Sequence, residues 1–192
     1  MSRAKRVALF GGSFDPVHRG HLFIAEKAVE ACGLDQVIFV PCRISPHKVG
    51  RQISASADRV EMLRLATADI DWAEVSDWEI LREEASYSWK TAEHFSRELG
   101  AGVELFWIVG TDQWEVIETW AKPEVLAELV TFVVFPRGGI ARPKDGFRMV
   151  AVDASFDASS TDIRRRVRDG EAISDLVLPE VECFVSDRGL YR

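Results

Sequence analysis

The sequence predicts a doubly wound, mostly parallel α/β sheet with helices on both faces. Three observations carry this. Strand-sized apolar runs recur without polar alternation, as strands covered on both sides require. Segments with helical apolar spacing alternate with those runs, which is the order of a parallel sheet with crossover helices. Polar, glycine- or proline-bearing stretches follow the runs, where such folds bind ligands.

Taken in order, "RVALF" (6–10) is a first strand ending at Gly11-Gly12, and a helix is expected over about 21–32 with Gly33 as its stop. In that helix Leu22, Ala25, Ala28, Val29 and Cys32 fall on one stripe. "QVIFVP" (36–41) is a second strand, and a long polar loop leads to Ser56, a candidate cap for "ADRVEMLRLATA". "AEVSDWEI" is a third strand candidate, and "WKTAEHFSREL" is a helix before Gly100. "ELFWIVG" (104–110) is a fourth strand, with helices expected at "QWEVIETW" and "PEVLAELV". "TFVVFP" (131–136) and "FRMVAVD" complete the strands, and "STDIRRRVRDG" and "PEVECFVSDRG" are closing helices. With 192 residues the chain is read as one domain over 1–192, its helices from about 159 packing on the same core.

Composition narrows the function. A formal net charge of −7 disfavours a general nucleic-acid binder, whose affinity rests on neutralising phosphates. A small anion in a local positive pocket remains compatible. No apolar run approaches a membrane span, and no signal-peptide core follows "MSRAKR". Cys32, Cys42 and Cys183 form no CxxC and read as reduced thiols of a cytoplasmic protein. Oligomeric state is not legible.

The residues after the strands are "GGSFDPVH", "PCRISPHK", "GTDQW", "FPRGG" and "DASSTDIR", far apart in sequence yet expected on one rim. Gly11-Gly12 belongs to neither a P-loop nor a GxGxxG fingerprint, but lets backbone approach a ligand; a simple turn explains it equally. His18 and His21 lie three apart. With His47, His94, Cys32 and Cys42 they make no zinc spacing, so no metal site is expected. Two histidines at a helix start suit donation to phosphate oxygens. "SSTDIR" (159–164) reads either as a capping box of Ser159 and Asp162 or as a phosphate holder with Arg164. Arg165, Arg166 and Arg168 read as a solvated face. Lys48 in "SPHK" is a rim cation. Trp107 lies inside a strand and reads as core. Trp114 and Trp120 are packing residues, unless one of them stacks on a flat cationic ring.

Together "GGSFDPVHRGHL", "SPHK", "ASYSWKT", "IVGTDQW", "TW", "SSTDIRRRV" and "RGLYR" resemble, over essentially the whole chain, the bacterial nicotinate mononucleotide adenylyltransferases of the HxGH nucleotidylyltransferase superfamily. The resemblance implies a Rossmann-like fold and transfer of adenylyl from ATP to nicotinate mononucleotide, releasing pyrophosphate, in NAD biosynthesis. It implies that Gly11, Gly12, Ser13 and Phe14 line the ATP pocket, with His18 and His21 on its phosphates, where the rim cation Lys48 is also suited to act. Gly110 and Asp112 would approach the ribose, and Ser160, Thr161 and Arg164 the adenine-side backbone and triphosphate. Tyr87 and Ser88 would lie near the pyridine and Trp120 would stack on it, with Mg²⁺ brought by ATP.

Two departures bear on selectivity. The family's SYTxDT is here "SYSWKT", with Ser88 for Thr and Lys90 for Asp, and the apolar residue before SST is Ala158. Lys90 is read either as solvent-facing or as a positive charge beside an acidic pyridine. Rival readings are an enzyme acting on phosphopantetheine or on nicotinamide mononucleotide, or a non-catalytic nucleotide sensor. A class I aminoacyl-tRNA synthetase fragment also carries HxGH, but there is no KMSKS-like motif here. The polar loop 45–56 is long enough to close over substrate.

Overall fold

The computed structural model describes residues 3–44, 53–136 and 139–192. Among these residues six strands form one parallel sheet: β1 (Lys5–Gly12), β2 (Gln36–Pro41), β3 (Ala73–Val75), β4 (Val103–Gly110), β5 (Thr131–Phe135) and β6 (Met149–Ala151), in the order β3-β2-β1-β4-β5-β6. The chain leaves β1 toward one edge and returns at β4 to build the other. The β1–β4 seam is therefore the topological switch point, beyond whose carboxyl ends such folds open a crevice.

Alternation along β1 explains why its run is continuously apolar. Ala8 and Phe10 face one side, and Val7 and Leu9 face the other. On the first face they meet residues of α1 (Arg19–Cys32), α2 (Ser56–Thr67), α6 (Ser160–Asp169) and α7 (Pro179–Asp187), including Ala25, Met62, Ile163 and Val181. On the second they meet α3 (Ser88–Leu99), α4 (Thr111–Glu115) and α5 (Pro123–Leu129) through Ala92, Trp114 and Leu126. Helices thus cover both faces, and the α6 and α7 residues belong to the same core as β1.

Several expectations are refined. α1 begins at Arg19, ahead of the expected 21, and stops at Gly33 in the left-handed region, whose N–H reaches Val29 O. Ser56 is the first residue of α2, and the N-cap position is Ala55. The Ser56 hydroxyl instead accepts from Arg59 Nη2 at 3.2 Å. "AEVSDWEI" is strand only over Ala73–Val75, because Asp77 to Leu81 close a turn in which Leu81 N–H bonds Asp77 O at 3.1 Å. "QWEVIETW" splits into α4 and a 3₁₀ turn over Ile117–Thr119, with Val116 between them.

Candidate active site

β1 ends at Gly11-Gly12, and Phe14 turns the chain back with φ 49, its ring 1% exposed. That ring packs edge-on to Phe10 and to His21, with centroids 5.5 and 5.0 Å apart. A Cβ at residue 12 would stand 2.9 Å from Phe14 Cζ, so glycine is required for the ring to lie beneath the rim. Phe14 consequently offers the rim backbone rather than side chain. Ser13 remains half-buried beside Cys42, its O accepting from Arg59 Nη1 at 2.7 Å.

His18 is the N-cap of α1, and its ring stacks on His21 with centroids 3.7 Å apart and planes 30° apart. His21 Nδ1 accepts from the His18 backbone N–H at 3.2 Å. That bond assigns the neutral His21 proton to Nε2 and presents it as a donor. Gly20 permits the stack, because a Cβ there would lie 3.0 Å from His18 Nδ1. The middle glycine of HxGH is thus a steric requirement of its first histidine, a role spacing alone did not suggest. The first turn of α1 carries no acidic residue, leaving the positive end of the helix dipole uncompensated there.

α6 meets this rim from the same face. Ser159 Oγ accepts from Asp162 N–H at 3.1 Å, which is the expected cap. The reciprocal half of the capping box is missing, because the Asp162 carboxylate turns to Arg165 and Arg166 at 2.9 and 3.0 Å. Ser160 Oγ donates to Pro16 O at 2.9 Å, and Arg164 Nη1 donates to Asp15 O at 2.7 Å. Arg164 Nη2 reaches Thr161 Oγ1 at 3.2 Å. The Ser160 hydroxyl and Arg164 therefore tie α6 to the β1–α1 segment, while Arg164 stays partly exposed.

Sequence reasoning missed two buried charges that hold this arrangement. Asp15 is 2% exposed, and Arg59 is fully buried, bonding Ser13 O, Ser54 O and Ser56 Oγ. A charged residue on the apolar side of α2 was a signal for Arg59. For Asp15 no local signal existed, since Asp-Pro also marks ordinary turns.

Across the seam, the β1–β4 pairing sets Leu9 opposite Trp107, and the same offset carries Gly12 level with Gly110. Gly110 caps α4, Thr111 is buried, and Asp112 is exposed beside Gln113. Trp107 and Trp114 are both core, and Trp114 Nε1 donates to Arg142 O at 2.8 Å. Trp120 ends the 3₁₀ turn half-buried, packed against the second core face together with Trp89.

Tyr87 and Ser88 begin α3, both half-buried. Behind them Glu79 is 5% exposed and accepts from Thr91 Oγ1 at 2.5 Å. Burial raises its carboxyl above the usual range, and hydroxyl bonds from Thr91 and Ser86 partly oppose that. Ser86 in turn accepts from Arg43 N–H at 3.0 Å, joining the end of β2 to this segment. Lys90 is ion-paired with Glu84 and lies within 5.9 Å of the Tyr87 ring centroid. Its charge is thus matched locally, which neither earlier reading included. Lys48, His47 and most of the 45–56 loop lie outside the described residues.

A Cytidylyltransferase-like family model matches residues 9–166, which defines the class as nucleotide-transferring enzymes. The chain is 35% identical to the probable nicotinate-nucleotide adenylyltransferase of Clostridium tetani, covering 98% of this chain and 100% of that one. It is 37% identical to that of Desulfitobacterium hafniense, covering 98% and 96%. The chain therefore belongs to the nicotinate-nucleotide adenylyltransferase family. Its fold is shared with the Plasmodium falciparum nicotinic acid mononucleotide adenylyltransferase complexed with NaAD, at TM-score 0.81, 19% identity and 97% coverage of each chain.

Proposed function

We propose that this enzyme transfers the adenylyl group of MgATP to nicotinate mononucleotide, forming nicotinate adenine dinucleotide and pyrophosphate in NAD biosynthesis. The observation that carries the reading is the His18–His21 pair, fixed at the start of α1 beside Gly11-Gly12 at the switch point. The nucleophile is the acceptor's own phosphate, whose second pKa of about 6 leaves it ionised at neutral pH. No side-chain nucleophile and no strong base are needed.

The acceptor phosphate attacks the α-phosphorus in line, a new P–O bond forms, and the bond to the β-phosphate oxygen breaks. Negative charge grows on the non-bridging oxygens and on the leaving pyrophosphate. His21 Nε2–H, His18 and the first-turn amides of α1 would stabilise the former. Arg164, Ser160 and Thr161 would hold the latter, with Lys48 joining from the neighbouring loop. Mg²⁺ arrives with ATP as part of the substrate.

Gly11, Gly12, Ser13 and Phe14 would contribute backbone to the ATP half, and Gly110 and Asp112 would approach a ribose hydroxyl. Tyr87 and Ser88 at the start of α3 would receive the pyridine carboxylate, and Trp120 would stack on the ring. The acid form is favoured because charge-assisted bonds from amides and hydroxyls are about twice as strong as neutral ones. The reading places the enzyme in the cytoplasm, where thiols such as Cys32, Cys42 and Cys183 stay reduced.

Pyrophosphate release from MgATP with a panel of phosphorylated acceptors tests the reading. Nicotinate mononucleotide should be the best acceptor and the dinucleotide the product. Faster release with phosphopantetheine, or none with any pyridine nucleotide, would overturn it.

A further inference from the structure

Asp15 sits between β1 and α1, buried directly under the rim, and three distant segments converge on it. Ser54 N–H lies 3.3 and 3.4 Å from its two carboxylate oxygens. Tyr191 Oη donates to Oδ1 at 2.9 Å from a position 176 residues further along the chain. Arg164 Nη1 donates to the Asp15 backbone oxygen at 2.7 Å but stands 3.9 Å from Oδ2.

The last distance matters. An arginine this close to a carboxylate ordinarily closes to about 2.8 Å and pairs bidentately. Here the carboxylate is engaged elsewhere, and Arg164 meets the carbonyl instead. Tyr191 is itself firmly placed. Arg188 pairs with Asp58 of α2 at 2.8 Å, Leu190 N–H bonds Val185 O at 3.0 Å, and Tyr191 takes φ 67.

We infer that Tyr191 is a positioning residue for ATP. Its hydroxyl holds the Asp15 carboxylate away from Arg164, so that the guanidinium keeps its charge for the triphosphate. This rests on the reading of Arg164 as a phosphate contact. Without the hydroxyl the carboxylate is free to close on Arg164, neutralising it and drawing it off the rim.

The test is calorimetric binding of MgATP, without acceptor, to the wild type, Tyr191→Phe, Arg164→Ala and the double variant. Phenylalanine keeps the ring packing and removes only the hydroxyl. Tyr191→Phe should weaken ATP about three- to tenfold, the scale of one ordinary hydrogen bond. It should leave the KM for nicotinate mononucleotide unchanged and shift Tm by only a few degrees. In the Arg164→Ala background the same change should have no further effect, since additivity fails for residues acting through one another. Wild-type affinity in Tyr191→Phe, or an equal loss in both backgrounds, would overturn the role. A wild-type protein that binds no MgATP takes both this inference and the proposed function down. Normal binding with an unmoved variant removes the inference alone.

Discussion

The two faces of the sheet support the rim differently. On the face of α1, α2, α6 and α7, the site residues are held by packing and part-buried bonds among themselves: Phe14 under Gly12, His18 over His21, Ser160 and Arg164 on residues 15 and 16. On the face of α3, α4 and α5, Tyr87, Ser88 and Trp120 are half-buried, and Asp112 and the Lys90–Glu84 pair are solvent-bathed. The reacting phosphates need preorganised donors, whereas recognising a flat ring tolerates adjustable walls. The first face therefore has less freedom to change, and the departures at Ser88 and Lys90 fall on the second, while Ala158 is the one departure that packs on the first.

The largest expected effect breaks the first face chemically. His21→Asn supplies a side-chain oxygen near the former Nδ1 and so can keep the bond from His18 N–H, but it lacks the outward N–H. Turnover should fall about 10²-fold with little change in ATP affinity, as loss of one transition-state donor predicts. Steady-state kinetics beside thermal denaturation measures it, and near-normal turnover would remove His21 from the chemistry.

Gly20→Ala sharpens the same point without touching a functional group. Its methyl would meet His18 Nδ1 at 3.0 Å, so the stack must shift, while alanine favours helix over glycine by about 1 kcal/mol. Activity should drop about tenfold or more with Tm unchanged or raised. A variant both stable and fully active would mean that the His18 orientation is immaterial.

On the second face, Trp120→Ala should raise the KM for the pyridine nucleotide about tenfold and spare ATP, the scale of a desolvated cation–π contact. Equal effects on both substrates would make Trp120 a packing residue.

Lys90→Ala should change the ratio of acid to amide kcat/KM less than about twofold, at low or high salt, because Glu84 already matches the charge. A larger, salt-dependent change would place Lys90 in acid selection.

What the sequence made legible divides along the same line. The four inner strands and the parallel sheet followed from apolar runs, since a buried strand must be apolar on both sides and little else is, whereas the half-buried edge strands β3 and β6 followed from their place in the alternation. The histidines, glycines and "SSTDIR" were visible because the phosphate chemistry constrains residue type. Asp15, Arg59 and the function of Tyr191 were not, because each acts through a partner far along the chain, and no local pattern encodes that partner. The split of "QWEVIETW" was missed for another reason. Its spacing is helical throughout, and the break at Val116 accompanies the packing of Ile117 and Trp120 on the second face.

The bonds on residues 15 and 16 span 144, 149 and 176 positions. A ribosome that has released β1, α1 and their histidines still has most of the chain to make before Arg164 and Tyr191 emerge. The nascent protein thus carries the proposed phosphate donors early and the residues that tie down the 15–16 segment last. On the proposed roles, a chain short of residue 191 would hold ATP several-fold less tightly than the finished one.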